Sequence, residues 1–379
     1  MLSQVKTISK PKIAIIHPSI GESLGGSQIF ALELAEKLKD RCDITIFSSN
    51  NKVNELCKPV FSLPRSQADK INHSLFQFIR KTIGKVSTSP DVVIEHITSF
   101  LPVFYHLMSG NYDVIYPNND WGGLLVASAV RHIKGTPVLF TEHGGFIEKG
   151  KIASRNLGFK PDKYIVLSEE MKFWVKKYFP ESNVDYIPNG VDFDRFNPDI
   201  ESKNIDLPRP LILTASRYYP YKRLELIIES VSNMKKGSLL ILSSGNNLDL
   251  LKKKGLEQLG EKRFRLMSVD YEEMASYYKA CDVFTLPSLY EPFGLVYLEA
   301  MACNKPVVAP YDHSRMDIIG DAGILCDVTD IDAYASALKR AAKTNFGSSP
   351  YNQARKYTWE SCADKYYSAI MELISAKVR

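Results

Sequence analysis

Two glutamates separated by seven residues, Glu291 and Glu299 in EPFGLVYLE, stand between a strand-like run, DVFTLPS, and a helix-like run, LVYLEAMACN. A strand end that leads through a glycine-containing loop into a helix presents unbonded backbone N–H groups and the positive end of the helix dipole. That arrangement suits a phosphate or diphosphate. With a helical rise of ~1.5 Å per residue, the eight-residue step parts the carboxylates by up to about 12 Å along the axis. This is wider than the roughly 5 to 9.5 Å between an acid and a base that share one glycosidic bond. The spacing leaves one glutamate for a sugar and the other for a ribose.

Other residues offer backbone or a ring rather than charge. Gly25 and Gly26 close a loop between the first strand-like run and the first helix-like run, where missing side chains let the backbone approach a diphosphate or an acceptor; a tight structural turn is the alternative. The loop lacks the G-x-G-x-x-G spacing, which disfavours a nicotinamide-type dinucleotide. His143, in TEHGG, ends a strand-like run on the edge expected to face a cleft, whereas His17, His96, His106 and His132 read as structural.

These residues need a frame, and the apolar pattern supplies one. Strand-like runs at 12–17, 43–47, 91–95, 113–116, 138–141 and 164–167 alternate with helical stretches, the first carrying Phe30, Leu34 and Leu38 at fourfold spacing. A polar, proline-containing stretch at 199–210 reads as a linker, after which strands at 211–215, 239–242, 263–267, 283–286 and 306–309 restart the alternation, with a helical stretch at 224–234. Such alternation predicts α/β architecture with parallel, doubly wound sheets.

Composition sets the bounds. At 379 residues the chain exceeds one ordinary core, and 45% hydrophobic with 24% charged residues is typical of globular proteins. A net charge of +5 fits an anionic small molecule or an acidic membrane surface and does not resemble a nucleic-acid-binding stripe. The six cysteines form no CxxC pair and predict free thiols in a reducing compartment, with no disulfide and no zinc. No signal-peptide-like stretch opens the sequence, and the segment 96–112, with Pro102 and Gly110, reads as a poor membrane span. The expected location is cytoplasmic, with peripheral membrane contact left open.

The EPFGLVYLE segment resembles the E-x7-E motif of retaining glycosyltransferases, in particular glycosyltransferase family 4 (glycosyl transferases group 1), and the resemblance runs along the chain through GESLGGSQIFALELAEKL, TEHGG, DKYIVLSEEMK, IPNGVD, ASRYYPYKRLELIIESV, YYKACDVFTLPS and YTWESCADKYYSAI. It implies the GT-B fold: two Rossmann-like doubly wound domains facing across a cleft. The implied division is residues 1–198 for an acceptor-side domain, 199–356 for a nucleotide-sugar-binding domain, and a C-terminal helix, 357–379, that crosses back to the first. It further implies that Glu299 binds ribose hydroxyls, Glu291 sugar hydroxyls, and the N–H groups of Phe293, Gly294 and Leu295 the sugar and diphosphate. Arg217 and Lys222 match the family's diphosphate-binding cations, and His143 the histidine that contacts the donor sugar or its transition state. A guanidinium can grip phosphate oxygens at two points while an ammonium acts as a point charge; Arg223 reads as solvated.

The expected activity is retaining, metal-independent transfer of a sugar from a nucleotide-diphosphate sugar, the donor substrate, to a hydroxyl acceptor on a glycan, lipid or small molecule, with no cofactor. A nucleotide-sugar epimerase of the same fold and a non-catalytic sugar-nucleotide-binding regulator are the alternatives. Three features stand apart. PYDHSRMDIIGDAG replaces the Gly-rich acidic segment of many relatives, Asp192 and Asp194 spell a D-x-D read as structural, and MKFWVKKYF sets Met171, Trp174, Val175 and Tyr178 on one helical face, read as core packing with a membrane-facing surface as the alternative.

Overall fold

A computed structural model describes residues 10–21, 25–49, 53–63, 90–118, 121–245 and 248–377. The N-terminal stretch 1–9, residues 22–24 of the glycine loop and the last two residues of the closing segment lie outside them. The first unit contains β1 (Lys12–Ile16), β2 (Asp43–Ser48), β3 (Cys57–Pro59), β4 (Val114–Pro117), β5 (Leu139–Thr141), β6 (Lys163–Val166) and β7 (Val184–Tyr186). They form sheets ordered β3-β2-β1-β4 and β5-β6-β7, which meet through one parallel bridge between Ile115 and Val138. The second unit is one sheet of β8 (Leu211–Ala215), β9 (Ser238–Leu242), β10 (Phe264–Met267), β11 (Val283–Thr285), β12 (Val307–Pro310) and β13 (Gly323–Cys326), ordered β10-β9-β8-β11-β12-β13. Every paired strand is parallel. Runs such as LILTA and SLLIL are buried along their whole length, as expected of strands covered by helices on both faces.

Strand order reverses between β1 and β4 and again between β8 and β11. A crevice opens beyond the strand ends at such points. The glycine loop leaves β1, the Arg217–Lys222 segment leaves β8, and the Glu291 loop leaves β11, so topology alone sends all three toward crevices.

Eight helices matter to the site: α1 (Gly26–Leu38), α2 (Pro90–Ser109), α3 (Trp121–Lys134), α4 (Glu169–Tyr178), α5 (Leu224–Asn233), α6 (Leu295–Ala302), α7 (His313–Ile319) and α8 (Trp359–Lys377). The stripe Phe30, Leu34 and Leu38 is buried on α1 as its spacing requires. The run 91–95, expected as a strand, is instead the first turn and a half of α2. A short β-branched run does not distinguish strand from helix, and Pro90, at the first helical position, starts the helix. Pro102 lies inside α2 rather than ending it; by length and composition alone Val92–Ser109 is apolar enough to cross a membrane, a test that core helices also pass, and 39% of that stretch is buried in this fold. The cysteines are free, and all but Cys326 are buried.

The closing helix α8 follows the second sheet in sequence but shares a core with the first. Trp359, Tyr366 and Ile370 pack with Ile13, Phe30, Leu34 and Tyr116. A hydroxyl chain ties it to two strands: Thr141 Oγ1 lies 2.8 Å from Tyr366 OH and 2.7 Å from Tyr116 OH. Where the chain passes between units the two crossings touch, Val191 N donating to Tyr357 O at 3.1 Å beside a parallel bridge to Thr358. Gly190 makes this approach possible, because a Cβ there would lie 2.3 Å from Trp359 N and 2.5 Å from its Cα.

Gly190→Ala should therefore lower stability by about 1 to 3 kcal/mol, the ordinary cost of overpacking. At Gly26 a Cβ would meet nothing within 4 Å, so Gly26→Ala serves as the control and should unfold with wild-type stability. Thermal or urea denaturation compares them, and equal midpoints for all three proteins would remove the close crossing as a constraint.

Candidate active site

One cavity of about 630 Å³ lies between the units. Gly25, Gly26 and His143 line it from the first; Arg217, Lys222, Glu291, Phe293, Gly294, Leu295 and Glu299 line it from the second. Residues picked from segments far apart in sequence thus share one space.

Glu291 is not on the helix. The chain turns at Gly294, whose φ of 88° is left-handed, and α6 begins at Leu295. A Cβ at 294 would fall 2.5 Å from the Tyr297 ring, so both backbone and space require glycine there. The helical-rise spacing of the two carboxylates consequently does not apply: the loop carries Glu291 and only Glu299 rides the helix. Glu291 Oε2 accepts from Lys222 Nζ at 2.6 Å and from Ser288 Oγ at 3.2 Å, and the Lys222 and Glu291 side chains are 13% and 11% exposed. Phe293 turns its ring edge-on to Tyr357, with ring centres 5.8 Å apart, and Leu295 packs against the cores of both units. At the start of α6 Tyr297 N donates to Gly294 O at 2.9 Å, while a helix N-terminus leaves its earlier N–H groups without an intrahelical acceptor.

Glu299 is buried and sits among phenols. Its carboxylate accepts from Tyr278 OH at 2.7 Å and Tyr271 OH at 3.1 Å. Burial pushes its carboxyl above the ordinary range, and the two phenol bonds only partly oppose that. The Tyr271 ring lies 4.8 Å from the Arg195 guanidinium, which reaches Glu33 on α1 at 3.5 Å, so the Glu299 carboxylate is linked through a ring to the opposite unit. The motif spacing did not reveal Tyr271 or Arg195, since they meet only across the folded chain.

His143 donates from Nε2 to Asn118 Oδ1 at 2.7 Å. The amide orientation follows from its other end, where Asn118 Nδ2 donates to Ser27 O at 3.0 Å. With Nε2 carrying the proton, the neutral ring keeps an acceptor at Nδ1. Burial lowers its pKa to about 4. The turn behind it is fixed by Glu142, which accepts from Gly144 N at 2.6 Å, Tyr164 OH at 2.6 Å and Asn156 Nδ2 at 2.9 Å. Gly145, at φ 54°, sits against Pro292 of the Glu291 loop.

Along the cation segment, Tyr219 and Tyr221 stack with ring centres 5.5 Å apart, flanked by Arg217 and Lys222. Arg223, read from sequence as solvated, is instead half-buried and donates from Nε to Pro287 O at 2.7 Å. Its left-handed φ of 53° swings it away from the cleft and onto the neighbouring loop. Asp192 of the D-x-D pair accepts from Asp194 N at 2.9 Å, a turn-forming contact. On α4, Met171 and Val175 are buried, but Tyr178 is 57% exposed, so the stripe is core only in part. The helix ends at Tyr178, beyond the underlying core.

Residues 24–195 match glycosyltransferase family 4, and residues 196–358 match glycosyl transferases group 1. The chain is 25% identical to the UDP-Gal:alpha-D-GlcNAc-diphosphoundecaprenol alpha-1,3-galactosyltransferase of Escherichia coli, over 87% of this chain and 88% of that one. It is 24% identical to a D-inositol 3-phosphate glycosyltransferase of Geodermatophilus obscurus, over 99% and 92%. Among solved structures, sucrose-phosphate synthase from Thermosynechococcus elongatus superposes with a TM-score of 0.74 at 21% identity, covering 97% of this chain and 100% of that one. Anabaena HepE, solved with UDP and glucose, gives 0.72 at 17% identity, covering 95% and 99%. These likenesses identify the architecture as GT-B.

The His143 environment has a measurable consequence. An unfolded histidine takes its proton near pH 6.5, whereas folded His143 does so only near 4. Its stabilising contribution is thus complete above about pH 6.5 and is lost as pH falls toward about 4. NMR of the labelled imidazole should show no His143 inflection between pH 5 and 8. Asn118→Asp, which sets a carboxylate against Nε2, should raise the midpoint by about one to three pH units. An inflection near 6.5 in the wild type would contradict the neutral, half-buried ring.

Proposed function

We propose that this chain, which belongs to glycosyltransferase family 4, transfers its sugar with retention of anomeric configuration and without a metal ion, using a nucleoside-diphosphate donor held mainly by the second unit and a hydroxyl acceptor held mainly by the first. One observation carries the reading: two cations, a helix N-terminus and two carboxylates in different surroundings converge on a single cavity beside the β8–β11 switch point. HepE, which shares the fold, was solved with UDP and glucose, and this supports a nucleotide-sugar donor here.

In this reading the diphosphate lies against Arg217, Lys222 and the N-terminus of α6. These groups are already aimed where negative charge grows as the leaving group departs, so little reorganisation is needed during the reaction. They take the part that a divalent ion plays in other phosphoryl and glycosyl sites. Glu299 takes the ribose hydroxyls and Glu291 the sugar hydroxyls, with the remaining Lys222 protons free to reach the phosphate from the same ammonium that holds Glu291. Gly26 leaves open space at the first turn of α1 that a side chain would partly fill, which supports close approach of a ligand to that backbone.

Retention is favoured by what His143 lacks. An inverting enzyme needs a base on the face opposite the leaving group. A ring whose pKa is held near 4, with Nε2–H committed to Asn118, is a weak base at neutral pH. Its Nδ1 can accept a hydroxyl hydrogen bond and so orient a sugar. The acceptor proton then goes to a diphosphate oxygen on the leaving-group face, and closure of the two units excludes the water that would compete with the acceptor.

Lys222→Ala and Arg217→Ala should each lower kcat by roughly 10² to 10³, the scale for removing one preorganised charge stabiliser. The wild type assayed in EDTA should keep its rate. Wild-type turnover in both folded variants, or loss in EDTA restored by magnesium or manganese, would refute the metal-free leaving-group role.

The stereochemical outcome is independent of that test. A donor with an α-linked sugar should yield an α-linked product, read from the anomeric proton by NMR early in the reaction. A β-linked product would overturn retention and return His143 to consideration as a base.

A further inference from the structure

Three consecutive carbonyls in the loop leaving β11 are each held by a side chain. Leu286 O accepts from Tyr297 OH at 2.8 Å, Pro287 O from Arg223 Nε at 2.7 Å, and Ser288 O from Arg315 Nη2 at 2.7 Å. Arg315 reaches further than the other two. The same Nη2 lies 2.9 Å from Ser288 Oγ, which it supplies with a proton, and Ser288 Oγ donates in turn to Glu291 Oε2 at 3.2 Å. That oxygen is also the one bonded to Lys222 Nζ. Arg315 Nε donates to Tyr297 OH at 3.2 Å and Nη1 engages Asp312, while the residue as a whole is 3% exposed. It does not line the large cavity.

We propose that Arg315 is a positioning residue that acts through Ser288 to hold Glu291 in its sugar-facing orientation, an inference that rests on the assignment of Glu291 to the donor sugar. Without the Ser288 hydroxyl, Glu291 Oε2 keeps only Lys222, and the carboxylate is free to follow that flexible ammonium. A planar guanidinium can satisfy a carbonyl, a hydroxyl, a phenol and a carboxylate at once from fixed directions; an ammonium at the same position cannot. Arg217 and Glu299 hold their places by other partners. Loss of the Arg315–Ser288 link therefore weakens handling of the sugar and spares the nucleoside diphosphate.

The test compares wild type, Ser288→Ala, Arg315→Lys and Glu291→Ala, together with the Ser288→Ala/Glu291→Ala double variant. Calorimetry measures binding of UDP, GDP and ADP, and nucleoside diphosphate release measures turnover of UDP-glucose, UDP-galactose, GDP-mannose and ADP-glucose, using whichever pair the wild type accepts. Ser288→Ala and Arg315→Lys should keep the nucleoside diphosphate Kd within about twofold while kcat falls about tenfold or more, and Ser288→Ala should cost nothing further in the Glu291→Ala background. Ser288→Ala removes one hydroxyl and keeps the test available if Arg315→Lys does not fold. Wild-type kcat in Ser288→Ala, equal losses of nucleotide affinity and turnover, or additive effects in the double variant would overturn the proposal. A wild type that binds no nucleotide and turns over no donor overturns the donor assignment itself, an outcome distinct from failure of Arg315 alone.

Discussion

The contact between Lys222 and Glu291 is the point on which the site turns. A cation and a carboxylate lie 2.6 Å apart with little solvent around either, and such a pair is tolerated only where the remaining polar atoms find partners. The sheet makes that achievable. Pairing of β8 with β11 sets Ile212 beside Val283, and the loops that leave these strands stay together, joined by a backbone bond from Leu289 N to Tyr221 O at 2.7 Å. Lys222 comes from one loop and Glu291 from the other, so the ion pair is a consequence of strand order rather than of local sequence.

Glu291 and Glu299 differ in what surrounds them. Glu291 has a full cation beside it, whereas Glu299 has two phenols. Neutral donors compensate less of the desolvation cost than an ammonium does, which is why burial still raises the Glu299 carboxyl. The result is a site with one carboxylate tied to a lysine and another set into a less polar wall of phenols.

The two units are tied at more than one place. Helix α8 belongs to the second half of the sequence but to the core of the first unit, and Gly190 lets the chain crossings touch. Nearer the cavity, Gly145 meets Pro292, and Arg195 spans from Glu33 to the ring of Tyr271, whose hydroxyl holds Glu299. Movement of one unit against the other is therefore felt at the carboxylates themselves. This suits a reaction that needs water kept out while the donor is split.

Sequence alone determined what depends on local chemistry. Alternating apolar runs specified parallel α/β units, and the order of short motifs from the glycine loop to EPFGLVYLE marked the residues that line the cavity, because strand ends and helix starts are written in neighbouring residues. It failed where type or contact depends on distant partners. The run 91–95 has the composition of a strand and became helix, Gly294 turned the chain before Glu291 could join α6, and Arg223 proved half-buried. Asn118 and Tyr271 carried no motif signal, since each acts on a residue that only folding brings near, His143 and Glu299, and the segments that hold Ser288 and Arg315 gave no role to either, whose contacts with Glu291 and the loop carbonyls appear only in the fold. The sequence named groups that line the cavity, and the tertiary structure decided which neutral and charged neighbours fix their orientation and protonation, because those are properties of packing and burial rather than of residue type.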